Sequence, residues 1–197
     1  MNASAHVFGN LSGLWKVLDW AWIASEVLIL VATRTRRSTG NLRDRGSLLI
    51  LWPVIVASVT VSEWIGAAQQ PTMFGGVHWV RTLSAAILAA GLAIRWTAVA
   101  TLGRSFSANV AIHTSQTLHR TGLFRFVRHP SYSGLLLIFV AVGVHTRNWW
   151  GLAVMLIPTT AALLYRIHVE EAALIEAFDQ EYRDYSRTTK GLIPGIY

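Results

Sequence analysis

The chain has 197 residues, of which 53% are hydrophobic and only 14% are charged, and its formal net charge is +7. Soluble domains carry about 25% charged residues, so this composition excludes an ordinary soluble globular protein. Cysteine is absent, which excludes disulfides, thiolate metal sites and a cysteine nucleophile. We therefore predict an all-α, polytopic integral membrane protein and no metal site.

The positive charge is distributed as a topology signal. The arginines lie mainly between apolar segments, which favours membrane orientation over nucleic-acid binding. We expect the lipid bilayer as a partner and no nucleic acid. A cleavable signal peptide is not predicted, because the first apolar stretch contains Asp19 and Glu26 and ends in arginines.

The first predicted span covers residues 14–33, which is long enough to cross a hydrocarbon core of about 30 Å. Asp19 and Glu26 are seven residues apart and so share one helix face. A charge inside a membrane normally faces protein or water. Asp19 lies near one end, where Lys16 can pair with it, and the sequence leaves the role of Glu26 open.

The loop at residues 34–46 carries five arginines against one acid, the strongest positive-inside signal in the chain. It predicts a cytoplasmic loop and an N-terminus outside. The second and third spans are expected at residues 47–68 and 78–100. Arg95 falls at the cytoplasmic end of the third span, from where it is expected to snorkel towards the headgroups.

Residues 101–130 are polar and too long for a simple connector. The region ends in Arg128, His129 and Pro130, directly before an apolar segment. Pro130 disfavours helical geometry at His129 and suits the first turn of a new helix. We predict irregular backbone at the membrane surface, which either holds a ligand or serves only as a basic stop before a membrane helix.

The last two spans, residues 132–146 and 149–168, form a predicted helical hairpin, and Pro158 should kink the second of them. Six of the ten acidic residues lie from Glu170 onward. There, apolar and aromatic residues recur at spacings of three and four, at Leu174, Phe178, Tyr182 and Tyr185. This predicts a cytoplasmic C-terminal amphipathic helix after about five transmembrane helices.

Arg166 and Glu170 are four residues apart and share a helix face, with Glu171 one step round. A surface ion pair of this kind contributes roughly 0.3–0.5 kcal/mol. At a membrane boundary, a functional charge pair is the default hypothesis.

Two patterns then carry a resemblance. One is Leu118-x-x-x-Gly122-x-Phe124-x-x-x-Arg128-His129-Pro130-x-Tyr132-x-Gly134, and the other is Arg166-x-x-x-Glu170-Glu171-x-x-Leu174 followed by Phe178-x-x-Glu181-Tyr182. With Leu102-Gly103-Arg104-x-Phe106 upstream, they resemble the isoprenylcysteine carboxyl methyltransferase family. The chain departs from it at Phe124, where the family usually has tyrosine, and at Asp179, where it often has glycine.

The resemblance covers the C-terminal half of the chain. It implies N-terminal transmembrane helices over residues 1–100 and a catalytic and cofactor-binding half over residues 101–197. It also implies S-adenosyl-L-methionine as methyl donor at the cytoplasmic face. No glycine-rich nucleotide turn follows a strand, so a Rossmann methyltransferase is excluded. The implied catalytic residues are Arg166 and Glu170. The implied cofactor-binding residues are His113, Thr114, Gly122, Leu123, Arg128, His129, Tyr132, Glu171, Glu181 and Tyr182.

The implied reaction is methylation of a carboxylate on a lipidated or hydrophobic acceptor. Arg166 would grip the carboxylate, and the lipid tail would enter between helices beside Pro158. Relatives with this signature methylate phospholipids or small thiols, so phospholipid, thiol or amine acceptors are alternatives, for which Glu170 is the candidate base. A non-catalytic membrane sensor or transporter subunit is an alternative of another class. A haem or quinone protein fits less well, because the histidines lie at span boundaries. The sequence leaves the acceptor and the oligomeric state open.

Overall fold

The computed structural model describes residues 3–34, 41–42, 46–73, 76–103, 106, 111–112 and 118–195. Its five α-helices are α1 (Ala3–Arg34), α2 (Ser47–Ala68), α3 (Val77–Leu102), α4 (Pro130–His145) and α5 (Trp149–Thr188). A 3-10 turn, Gly122–Arg125, precedes α4. Two short strands, β1 (Asn41–Leu42) and β2 (Ala111–Ile112), pair antiparallel with Asn41 opposite Ile112. The predicted all-α fold is confirmed.

The helices form a membrane bundle. Within the described residues, α2, α3 and α5 are long and apolar enough to cross a membrane, and α4 is a shorter apolar helix. α1 packs on α3 and completes the five-helix bundle. Large apolar side chains such as Trp20, Leu49 and Trp64 are exposed on the outer surface, as lipid-facing side chains are in a bilayer. Integral membrane localisation therefore follows from the fold.

α4 is the central helix of the bundle. Its 16 residues measure about 24 Å, less than a hydrocarbon core of about 30 Å. α4 packs on both α3 and α5, and each of its residues is buried or half-buried. Leu135, Ile138 and Phe139 belong to the main hydrophobic core. Because protein covers α4, its length need not match the bilayer.

Two glycines set how closely α3 approaches α4. A Cβ on Gly134 would lie 2.8 Å from the backbone nitrogen of Arg95 and 2.8 Å from the carbonyl oxygen of Gly91. Neither backbone group can move away without disturbing α3, so a larger residue at position 134 is excluded. The close crossing brings Arg95 against the first turn of α4.

The helix ends are grouped as the predicted topology requires. The contact from Arg95 to Ser131 joins the end of α3 to the start of α4. The contact from Arg166 to Ser47 joins the middle of α5 to the start of α2. The opposite end is closed where the backbone nitrogen of Thr72 donates to the carbonyl of Arg147 at 3.1 Å. The paired strands belong to the arginine-rich loop and to the polar region, so these two meet as well.

α5 is divided at Asp179 and not at Pro158. Pro158 lies within continuous helix, whereas Asp179 has φ 39° and ψ −115°. A positive φ of this kind favours glycine and is strained for other residues. This explains why the resembling family often has glycine at this position. The break turns the final segment, residues 180–188, onto the 3-10 turn before α4, where the Tyr185 hydroxyl donates to the Phe124 carbonyl at 2.6 Å.

Asp179→Gly is expected to stabilise the protein. Relief of the strained dihedral contributes about 1–3 kcal/mol, from which glycine's extra chain entropy subtracts about 1 kcal/mol. The net gain corresponds to roughly 2–4 °C in thermal unfolding of the detergent-solubilised protein. The exposed ion pair between Asp179 and Arg183 that is lost contributes little.

The matched control is Asp184→Gly, at a helical position of the same segment. It should destabilise by about 1 kcal/mol, the ordinary cost of glycine in a helix. Equal destabilisation by both substitutions would show that Asp179 is not strained.

Candidate active site

The Arg128–His129–Pro130 segment is held by backbone hydrogen bonds to residues 190 and 191. The backbone nitrogen of Arg128 donates to the carbonyl of Lys190 at 2.7 Å, and that of His129 donates to Gly191 at 3.0 Å. His129 has φ −123° and ψ 60°, outside helical geometry, and Pro130 begins α4. The predicted irregular backbone is confirmed, and a parallel bridge between Val127 and Lys190 holds it.

Glu171 contacts both polar side chains of this segment and also Tyr182. Its Oε1 accepts from Arg128 Nη2 at 2.7 Å, lies 3.1 Å from His129 Nε2, and accepts from the Tyr182 hydroxyl at 3.3 Å. Burial alone would raise the pKa of Glu171, but the hydrogen bonds from His129 and Arg128 outweigh it and lower the pKa to about 2. Glu171 is therefore an anion at neutral pH that holds three side chains.

The contact with Glu171 also shifts the pKa values of Arg128 and Tyr182. Burial tends to lower the pKa of Arg128, and the hydrogen bond to Glu171 raises it by more. Burial, followed by the charge of Glu171, raises the pKa of the Tyr182 phenol far above its ordinary range. Arg128 stays charged and Tyr182 stays a hydrogen-bond donor throughout the physiological pH range.

Arg166 and Glu170 are connected through Tyr132. The Tyr132 hydroxyl donates to Glu170 Oε2 at 2.7 Å and accepts from Arg166 Nε at 3.2 Å. Arg166 is 1% exposed, and its Nη1 donates to Ser47 Oγ at 2.5 Å. Helices α2, α4 and α5 thus position one guanidinium from three sides, which a solvated surface ion pair would not show.

A cavity between α1 and α2 reaches this group, and we call it the α1–α2 cavity. Its enclosed volume is only about 40 Å³, and it is open on one side. Its apolar walls are formed by Trp22, Ile29, Leu30, Leu48, Leu51, Trp52, Ile55, Phe106 and Leu135. Four polar side chains complete the lining, Glu26, Arg95, Tyr132 and Arg166. Pro158 is exposed on α5 and does not line this cavity, and the tail route beside it stays a prediction.

Arg95 contradicts the prediction that it snorkels to the headgroups. It is 5% exposed, and its Nε and Nη2 donate to the two carboxylate oxygens of Glu26, the second at 2.6 Å. Its Nη1 donates to Ser131 Oγ at 2.7 Å. Arg95 stays inside because α1 supplies a buried counter-charge. Sequence reasoning missed this pair, although an acid and a base at similar depth in separate spans were the available signal.

The remaining predicted residues are placed less centrally. Glu181 accepts from Arg120 Nη2 at 2.8 Å, and both side chains are exposed. Gly122 and Leu123 begin the 3-10 turn, and Gly122 has φ 61°. His113 and Thr114 lie outside the described residues. Cofactor roles for these positions stay predictions. The division into N-terminal helices and a catalytic half at residue 100 also stays a prediction, and Glu26 and Arg95 of the N-terminal part line the cavity as well.

Comparison with known proteins decides the family. The model of the isoprenylcysteine carboxyl methyltransferase (ICMT) family matches residues 84–176. A probable protein-S-isoprenylcysteine O-methyltransferase of Oryza sativa subsp. indica is 31% identical over 174 residues, which cover 87% of this chain and 90% of the relative. This chain belongs to the ICMT family. The resemblance drawn from the two motifs is confirmed.

Other ICMT relatives are longer. The protein-S-isoprenylcysteine O-methyltransferase of Tribolium castaneum is 27% identical over 141 residues, 69% of this chain and 50% of the relative. The solved eukaryotic intramembrane Ras methyltransferase ICMT superposes with a TM-score of 0.60 at 25% identity, over 74% of this chain and 52% of that one. The chain thus spans about half the length of these two. Bacterial methanethiol S-methyltransferases also match.

Proposed function

We propose that the chain is an S-adenosyl-L-methionine-dependent methyltransferase that methylates a carboxylate of a lipidated or hydrophobic acceptor. The observation that carries this proposal is the α1–α2 cavity, an apolar slot with the buried Arg166 and Arg95 in its lining. An acyl or prenyl tail suits the apolar walls, and a carboxylate suits a guanidinium.

Carboxylate methylation requires alignment more than acid–base help. A carboxylate is already ionised at neutral pH, so its oxygen needs no base. Arg166 is held by Tyr132 and Ser47 before any ligand arrives, so a carboxylate would meet a preorganised guanidinium. Because Arg166 is buried, a carboxylate bound to it would be shielded from water.

The residues present fit the methyl donor. S-adenosyl-L-methionine supplies an electrophilic methyl group on a sulfonium cation. Carboxylates and aromatic faces favour such a cation, and the site contains two hydrogen-bonded phenol–carboxylate pairs, Tyr132 with Glu170 and Tyr182 with Glu171. The His129 ring lies 5.8 Å from the Tyr132 ring and extends this wall. We assign the donor to this side of Arg166.

We further infer that the site faces the cytoplasm. The arginine-rich loop, residues 34–46, lies at the same end of the bundle as Arg166, because Ser47 begins α2 directly after it and contacts Arg166. The positive-inside rule places such a loop in the cytoplasm. A cysteine introduced in this loop should be labelled by impermeant maleimide only after the membrane is opened.

The direct test measures donor binding and product chemistry. Isothermal calorimetry in nanodiscs should show S-adenosylhomocysteine binding to the full chain. With a labelled donor, an S-farnesylated cysteine should gain a methyl ester that mild base removes. Absence of binding would overturn the proposal, and a base-stable product on phospholipid, thiol or amine would overturn the carboxylate assignment.

A small-thiol acceptor is the second candidate, because methanethiol S-methyltransferases are among the relatives. The nine apolar side chains that line the α1–α2 cavity favour a larger acceptor, since methanethiol would leave most of this surface uncovered. Competition between methanethiol and the farnesylated acceptor at equal concentration discriminates the two.

A further inference from the structure

The Glu26–Arg95 ion pair is not explained by stability. Glu26 is 3% exposed and Arg95 is 5% exposed, so both charges have left water. Replacing such a buried pair by apolar side chains is often neutral or stabilising. The pair also connects α1 to α3, two helices that could be joined by apolar packing alone. A role beyond packing is therefore expected.

The pair leads directly to the candidate site. Besides Glu26, Arg95 binds Ser131 through Oγ at 2.7 Å and through the carbonyl at 3.4 Å. Ser131 directly precedes Tyr132, whose hydroxyl joins Glu170 and Arg166. Glu26 and Arg95 both line the α1–α2 cavity, as do Tyr132 and Arg166.

A third residue of α1 points to a bound polar group. Trp22 lies one turn before Glu26 and lines the same cavity. It is 5% exposed, and its indole Nε1 has no hydrogen-bond partner in the described part of the chain. A buried donor without a partner is destabilising unless something accepts from it. An oxygen of a bound molecule would satisfy this group.

We propose that α1 supplies a polar subsite for the head group of the acceptor, in which Glu26 positions Arg95 and Trp22 donates to an acceptor oxygen. This inference rests on the proposed function and adds the residues of α1 that recognise the acceptor. The subsite fits a carboxylate with a carbonyl or amide oxygen nearby, as in the end of a lipidated peptide. Glu26 is a positioning residue, and it acts through the guanidinium of Arg95.

The test separates acceptor recognition from folding and from donor binding. Glu26→Gln keeps the size and removes the charge, and should reduce kcat/KM for the S-farnesylated cysteine by about 10- to 100-fold, mainly through KM. Glu26→Asp, which keeps the charge, should recover part of that loss. Trp22→Phe keeps a ring and removes the donor, and should raise KM about tenfold. Affinity for S-adenosylhomocysteine should stay within about twofold in all three.

The double variant Glu26→Leu with Arg95→Met covers the case in which a single variant fails to fold. It should melt no lower than the wild type and still show the acceptor defect. Asp19→Asn on the same helix is the control and should leave acceptor KM unchanged. A stable double variant with wild-type acceptor kinetics would overturn the inference, and so would an unstable one, since the pair would then serve the fold. If the wild type itself does not bind S-adenosylhomocysteine, the proposed function is refuted instead.

Discussion

Arg166→Lys is expected to abolish methyl transfer while S-adenosylhomocysteine still binds. The Arg166 guanidinium donates in two directions, to Tyr132 from Nε and to Ser47 from Nη1, and it is almost fully buried. A lysine ammonium is a point charge and cannot reproduce this planar fork. Breaking a buried charged contact costs about 3–5 kcal/mol, which is roughly a 10²- to 5 × 10³-fold loss in kcat/KM.

Arg183→Lys provides the control, because Arg183 lies on the same helix with an exposed side chain. It should keep full activity. Arg166→Ala and Glu170→Ala should lose turnover as completely as Arg166→Lys, with expression retained. If Arg166→Lys keeps even a tenth of wild-type turnover, the guanidinium does not orient the acceptor. Initial rates with a labelled donor and the farnesylated acceptor measure all of these.

Glu171→Gln is expected to lower donor affinity by about 10- to 100-fold. The substitution removes the charge that Arg128, His129 and Tyr182 share through one oxygen. A partner left unsatisfied in a partly buried site costs about 1.5–3 kcal/mol when it is charged. Since the Arg128–His129 segment forms the proposed donor wall, its displacement should appear in calorimetric titration with S-adenosylhomocysteine. Glu176→Gln, on an exposed position of the same helix, should bind like the wild type.

The pH dependence of stability identifies Glu171 independently. Its pKa is about 2 in the folded protein, below the ordinary value of about 4.3. A lowered pKa means that the stabilising contribution is fully present above pH 4.3 and is lost as pH falls towards 2. The difference in thermal stability between wild type and Glu171→Gln should shrink below about pH 4. A difference that stays undiminished from pH 5 down to pH 2 would contradict this assignment.

The helices could be predicted well because local patterns specify them. The second span coincides with α2, and Pro130 starts α4, as predicted. The charge pattern also brought the Arg128–His129 segment and the Arg166–Glu170 pair to one end of the bundle. These features depend on apolar length, proline geometry and residue spacing within a segment, all of which are visible in a linear sequence.

The contacts that complete the site could not be predicted in this way. Glu26 and Arg95 are 69 residues apart, and their pairing depends on how α1 leans on α3. Tyr132 as the link between Arg166 and Glu170 depends on the crossing of α4 and α5. The unusual backbone at Asp179 was indicated only by a departure from a family pattern. Such contacts follow from tertiary packing, for which one sequence contains no direct signal.

The backbone nitrogens of Arg128 and His129 donate to the carbonyl groups of Lys190 and Gly191. These hydrogen bonds have a consequence for biogenesis. During translation, Arg128 is incorporated some sixty residues before Lys190 and Gly191. At about 5–20 residues per second the delay lasts several seconds. All five helices end before residue 190, so assembly in the bilayer and maturation of the catalytic machinery are separate events, and a chain truncated before residue 190 and released should be inserted yet inert.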